Sequence, residues 1–178
     1  MSKDRSLWSV PVRLDEVPPT GRRFDLRAEE ATLAAIARAA GILGVVDLQA
    51  VFDVARYGSD GLHVVGEVSA AVRQTCVVTL EPVANKVEES IDLLFEPGIA
   101  RADPDPDAAQ DVPLERPEPL VDGTVDLGAI AVEFLMLGID PYPRQPGAIF
   151  RGPSSEEGAA GPFAKLAVLK KRSGGTTR

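Results

Sequence analysis

Three stretches of polar–apolar alternation constrain this chain more than any other feature. In residues 46–54, Val46, Leu48, Ala50, Phe52 and Val54 fall on one face, opposed by Asp47, Gln49 and Asp53. In residues 62–73, Leu62, Val64, Gly66, Val68, Ala70 and Val72 share a face against His63, Glu67, Ser69 and Arg73. In residues 83–95, Val83, Val87, Ile91, Leu93 and Phe95 oppose Lys86, Glu88, Ser90 and Asp92. A period of two is that of a strand with one buried and one wet face, as in an antiparallel sheet. Between the first two stretches, Tyr57-Gly58-Ser59-Asp60-Gly61 carries Asp-Gly turn chemistry. A hairpin closed at Ser59-Asp60 is therefore expected. Aromatic residues make up only 5% of the chain, so Val, Leu, Ile and Ala must fill the core.

Helical spacing occurs twice. In residues 28–40, Leu33, Ile36, Ala37 and Ala40 recur at helical intervals, Glu29 and Glu30 suit the positive end of the helix dipole, and Gly41 is a plausible stop. Asp126 is a good N-cap for a second helix running to about residue 137, with Leu127, Ile130, Ala131, Phe134 and Leu135 spaced for burial. Glu133 is its only internal charge, so this helix must be nearly enclosed, laid across the sheet. Residues 7–14 read as a short strand broken by Pro11, and Pro18-Pro19-Thr20-Gly21 as a turn. Residues 99–119 alternate proline with carboxylates, which cannot supply a core, and are expected to form a flexible surface loop. Pro141-Tyr-Pro-Arg-Gln-Pro-Gly147 runs extended after the second helix. Residues 154–161 read as a small-residue linker. Residues 163–172 could form a short helix, with Phe163, Leu166, Ala167 and Leu169 on its apolar side.

Charge is distributed unevenly. The formal net charge is -8. Residues 81–133 hold three basic and fourteen acidic side chains, whereas residues 163–178 hold Lys165, Lys170, Lys171, Arg172 and Arg178 and no acid. An acidic body with a basic tail can follow a polyanion with the tail while the body repels it. The first residues lack an apolar stretch of signal-peptide length, and no run of about 18 apolar residues occurs. The cytoplasm is the expected compartment, without a membrane partner.

Residues for bond-making chemistry are sparse. His63 is the only histidine and sits on the polar face of a strand. No nucleophile elbow and no Gly-rich phosphate loop is present. Glu88 and Glu89 are adjacent and so point to opposite faces of a strand. The run Asp103-Asp105-Asp107 lacks the glycine and terminal Glu of a calcium loop. Cys76 is the only cysteine and reads as a small buried apolar residue. No catalytic residue, metal site or cofactor is expected. For RNA, which wants cations for phosphates and flat rings for stacking, the candidates are Arg73, Tyr142, Arg144, Lys170, Lys171 and Arg172; Arg22 and Arg23 form another small basic pair beside Phe24.

The run Gly66-Glu-Val-Ser-Ala-Ala-Val-Arg-Gln-Thr-Cys-Val-Val-Thr-Leu-Glu-Pro82 resembles the central signature of the YceD family. Four further pieces agree in order: residues 87–95, Asp126-Leu-Gly with Val132-Glu-Phe-Leu135, the Pro141 to Gly147 run, and Gly161-Pro-Phe-Ala-Lys-Leu-Ala-Val-Leu-Lys-Lys171. Many members carry Cys-x-x-Cys where this chain has Cys76-Val-Val-Thr79, which puts any metal or redox role in doubt here. The resemblance implies a bacterial, non-enzymatic factor in large ribosomal subunit biogenesis, supporting accumulation of large-subunit ribosomal RNA by binding that RNA or pre-ribosomal particles. The alternative is an acidic, chaperone-like module that binds a basic ribosomal protein.

The expected architecture is α+β: a twisted antiparallel sheet, with part-closure into a barrel left open, covered by two helices. Residues 1–150 are expected to form one domain, and residues 151–178 a linker and basic C-terminal arm.

Overall fold

The computed structural model describes residues 6–98 and 117–150. The acidic loop up to residue 116, the linker over 154–161 and the C-terminal segment with Lys170, Lys171 and Arg172 lie outside the described residues. The chain divides into two compact units between Gln145 and Pro146, and every described strand and helix belongs to the first.

The elements run β1 (Pro11–Arg13), β2 (Arg22–Arg27), α1 (Glu30–Ala40), β3 (Gly44–Tyr57), β4 (Gly61–Thr75), β5 (Pro82–Glu96), β6 (Glu118–Pro119), β7 (Thr124–Asp126) and α2 (Leu127–Gly138). The fold is α+β, with the three alternating stretches paired as β3–β4–β5. The main sheet has the order β2-β3-β4-β5-β6, antiparallel except for the two-residue β5–β6 pairing. It is not a closed barrel. β1 and β7 form a separate two-stranded ribbon. β6 takes the last residues of the expected loop into the sheet edge, Pro119 pairing with Glu96.

The core lies on one face of this sheet. Across the three long strands the register sets Leu48 beside Ala70 and Val87, Phe52 beside Gly66 and Ile91, and Val54 beside Val64 and Leu93. In the first two rows a small residue on β4 sits between two large ones, which lets the side chains interdigitate. At Gly66 an added Cβ would stand 2.6 Å from Phe52 Cδ1 and against the Val51 carbonyl. The missing side chain is the space the Phe52 ring uses.

Two local departures from the alternation have physical causes. Val46 was expected inside, but the β3–β4 register shifts between Val45 and Asp47, leaving Val46 as the extra residue of a bulge. Val45 takes the buried place and Val46 is 59% exposed. The second is β2, where the sequence suggests only a basic pair: its Phe24 and Leu26 pack against the core while its four arginine and aspartate side chains stay outside.

Both helices cover the sheet. α1 packs on β3 and ends at Gly41, which adopts the left-handed conformation and donates to Ala37 O and Arg38 O. α2 packs on β5, β4 and β1, burying six residues including Leu127, Ile130 and Leu135. Its N-cap is Asp126: Oδ1 accepts from Ala129 N at 3.1 Å and Val10 N at 2.8 Å, and Oδ2 accepts from Ser9 Oγ at 2.7 Å. The cap therefore also ties down the N-terminal segment. At the other end, Gly138 lies against Val87 and Glu89 of β5.

Gly66→Ala should overpack the contact with Phe52 and cost about 1–3 kcal/mol. Urea unfolding would show it as a lower midpoint at an unchanged slope; an unchanged midpoint would mean the Phe52 ring has room to move.

Candidate nucleic-acid interface

β4 ends at Thr75, and the loop Cys76-Val-Val-Thr-Leu-Glu81 returns the chain to β5. Backbone bonds close it: Cys76 N donates to Glu81 O at 2.8 Å and Leu80 N to Cys76 O at 2.9 Å. The geometry forces Leu80 into the left-handed region at φ 61, where a residue with a Cβ is disfavoured by roughly 1–2 kcal/mol. Leu80 is nonetheless 76% exposed, and its neighbour Val77 is exposed as well.

The segment after α2 docks on this loop. Buried Gln74 donates from Nε2 to Asp140 O at 2.7 Å and accepts from Asn85 Nδ2 at 2.9 Å. Val77 N donates to Pro143 O at 2.9 Å, and Gln145 N donates to Cys76 Sγ at 3.3 Å. Pro143 is buried, so the residues on either side of it are turned outward: Tyr142 is 71% exposed and Arg144 is exposed. Tyr142 N donates to Asp140 Oδ1 at 2.8 Å, which fixes the backbone at that point.

Arg73 stands on the outer face of the sheet at the same end, its guanidinium lying over Gly44, the residue paired with it on β3. Among the described residues, neither Arg73 nor Arg144 has a carboxylate within 4 Å. The fold therefore brings Arg73, Tyr142 and Arg144 to one end of the sheet, although nearly seventy residues separate them in sequence. Lys170, Lys171 and Arg172 lie outside the described residues. Sequence reasoning missed Val77 and Leu80. An apolar residue before Glu81-Pro82 in a turn was the available sign, but its positive φ and exposure are not readable from residue type.

The other basic pair lies elsewhere. Arg22 pairs with Val54 near the far end of β3, its guanidinium 4.8 Å from the Phe24 ring centre, and Arg23 Nη1 donates to Asp53 Oδ2 at 2.9 Å. The outer face between the two ends is acidic. Asp25, Asp47, Asp53, Glu67, Glu88 and Asp92 all stand on it. Four of them face cations: Asp25 and Asp53 face Arg23, Asp47 faces Arg27 and Glu88 faces Lys86; Asp92 Oδ1 lies 2.7 Å from His63 Nε2. Glu67 has no cation within 4 Å among the described residues and borders a shallow hollow of about 540 Å³ floored by Val51 and Val65.

His63 and Cys76 are thirteen residues apart on one extended strand and its end, roughly 40 Å at the rise of a β-strand, so they do not share a site. Among the described residues no three His, Cys, Asp or Glu side chains gather to hold a metal ion, and no helix is long and apolar enough to cross a membrane. Cys76 is buried, as expected. Its sulfur is a hydrogen-bond hub more than an apolar filler. The Thr79 side chain, then the backbone N–H groups of Gln145 and Thr79, pull the thiol down to about 6 against the opposing effect of desolvation.

A family model described as "Large ribosomal RNA subunit accumulation protein YceD" matches residues 64–170, more than half of the chain. The matched span takes in most of β4, the Cys76–Glu81 loop, β5, α2 and the segment through Gln145. No curated protein and no solved structure matches the chain.

The Cys76 bonds make a pH prediction with a definite sign. A folded pKa of about 6 lies below the about 8.5 of an unfolded cysteine. The folded state then binds fewer protons between those values, so this group's contribution is fully present above about 8.5 and lost as pH falls through about 6. Stability measured by denaturant titration should rise with pH across that window, and Cys76→Ala should flatten the rise. An identical slope in the variant would show that the thiol does not titrate there.

Proposed function

The chain belongs to the YceD family of large ribosomal RNA subunit accumulation proteins, and we propose that it supports that accumulation by binding the RNA, or the pre-ribosomal particle that contains it, through the sheet end that carries Arg73, Tyr142 and Arg144. The observation that carries this reading is the docking of residues 140–145 on the Cys76–Glu81 loop, which sets an exposed ring and Arg144 at the end of the sheet whose outer face carries Arg73; neither arginine has a carboxylate partner among the described residues. Lys170, Lys171 and Arg172 extend the basic set along the chain. The protein acts in the cytoplasm without a cofactor and without chemistry of its own. It holds RNA in an assembly-competent state.

Each phosphate neutralised on a single strand adds about 0.7 to the slope of log affinity against log salt. Replacing Arg73 and Arg144 together with alanine should therefore lower that slope by about 1.4 and weaken binding at low salt. Filter retention of large-subunit ribosomal RNA over a salt series measures both. Failure of the unaltered protein to retain that RNA at about 50 mM salt would end the RNA reading.

The acidic outer face supports a second reading, a site for a basic ribosomal protein, because Glu67, which has no cation within 4 Å among the described residues, borders a hollow lined also by Asp53 and Asp92 beside Arg23. Unlike charge across such a surface steers association and sets partner choice. Pull-down of purified ribosomal proteins without RNA, compared between the native chain and Glu67→Gln, tests it. Association that disappears completely on nuclease treatment leaves the RNA reading alone.

A further inference from the structure

Five of the twelve large apolar side chains exposed among the described residues lie toward one end of the sheet. Val77 and Leu80 stand exposed on the Cys76–Glu81 loop and Tyr142 on the 140–145 segment that is hydrogen-bonded to it, and Leu43 and Val46 flank the Gly44–Arg73 pair at the same end of the sheet. Leu80 is the most telling. It occupies a left-handed backbone position that glycine or asparagine would adopt with less strain, and it projects an apolar side chain into solvent from there. Local charge is close to balanced, since Glu81 and Asp140 accompany Arg73 and Arg144 at this end. Two cations can neutralise only about two phosphates, so ionic contact alone gives this surface little grip on a polyanion. What it offers in quantity is apolar contact beside a flat ring. Bases in a duplex keep their faces stacked on one another, whereas unpaired bases expose faces that aromatic and apolar side chains can cover.

We propose that Leu80, Val77 and Tyr142 form a base-contacting platform that selects unpaired, unstacked nucleotides over duplex RNA, with Arg73 and Arg144 as its phosphate anchors. This inference rests on the RNA reading above and names the form of RNA that the surface takes.

The experiment compares fluorescence anisotropy of the full chain with a labelled single-stranded oligonucleotide from large-subunit ribosomal RNA and with the same strand annealed to its complement. The native chain should bind the single strand more tightly. Tyr142→Ala and Leu80→Asn should each lose about tenfold in single-strand affinity, the scale of one lost base contact. Thermal unfolding separates this from simple damage. Leu80→Asn suits the left-handed position, so its melting temperature should hold or rise while affinity falls. Leu80→Gly should repeat the loss of affinity. Unchanged affinity in Leu80→Asn and Tyr142→Ala, alongside a loss in the Arg73 and Arg144 variant, would overturn the platform and leave RNA binding standing. No binding of either strand by the native chain would remove both. Full RNA affinity combined with lost capture of purified ribosomal proteins would assign the surface to a protein and overturn it as a base platform.

Discussion

β4 is hydrogen-bonded to a neighbour on both sides along nearly all of its fifteen residues, and the other parts of the molecule take their positions from it. Its inward residues, from Leu62 to Val72, form the middle of the core, and Phe52 can lie across it only because Gly66 has no side chain. Its outward residues set the character of the exposed face. Its last residues include Arg73 and Gln74, with Cys76 just beyond them; these three face solvent, anchor Asp140 and receive the backbone of Gln145 respectively. One strand thus links the packing of the core to the composition of the proposed binding end.

Anchoring at that end is polar where the core is apolar. Gln74 is buried, and its side chain is satisfied at both ends, by the Asp140 carbonyl and by Asn85. Half-satisfied, such a group would cost more than it contributes; fully satisfied, it specifies a single arrangement. The thiol of Cys76 works in the same way, accepting from two backbone N–H groups. Thr79 supplies one of those N–H groups, at 3.4 Å from the sulfur. The loop is therefore shaped by donors to one sulfur atom, without a second sulfur.

Much of this was legible in the sequence because it depends on short-range periodicity. The alternation in β3, β4 and β5 survives into the register, Gly41 ends α1, and Asp126 caps α2. Val46 escaped because a bulge inserts one residue without changing residue type, and the alternation reads straight through it. β2 escaped because only Phe24 and Leu26 of its six residues are apolar, too few to reveal a period among arginines and aspartates. The arrival of Tyr142 and Arg144 at the end of the sheet that carries Arg73 depends on contacts such as Val77 to Pro143, which no local pattern encodes. The polarity of the outer face was visible as alternating Asp and Glu, but its three-dimensional sum, with Glu67 left unpaired among the described residues, appears only after the strands are laid side by side.

β6 covers only Phe95 and Glu96 of the fifteen residues in β5. Among the described residues, the remaining length of that strand has no β partner on this side, and a bare strand margin is a template on which another chain can add itself. Pro82 removes one donor from it, and Lys86 with Glu88 places opposite charges along it. Those residues guard colloidal behaviour more than folding energy. Changes that strip the charge from positions 86 and 88 would leave the monomer's melting behaviour nearly intact while inviting stacking between molecules at high concentration.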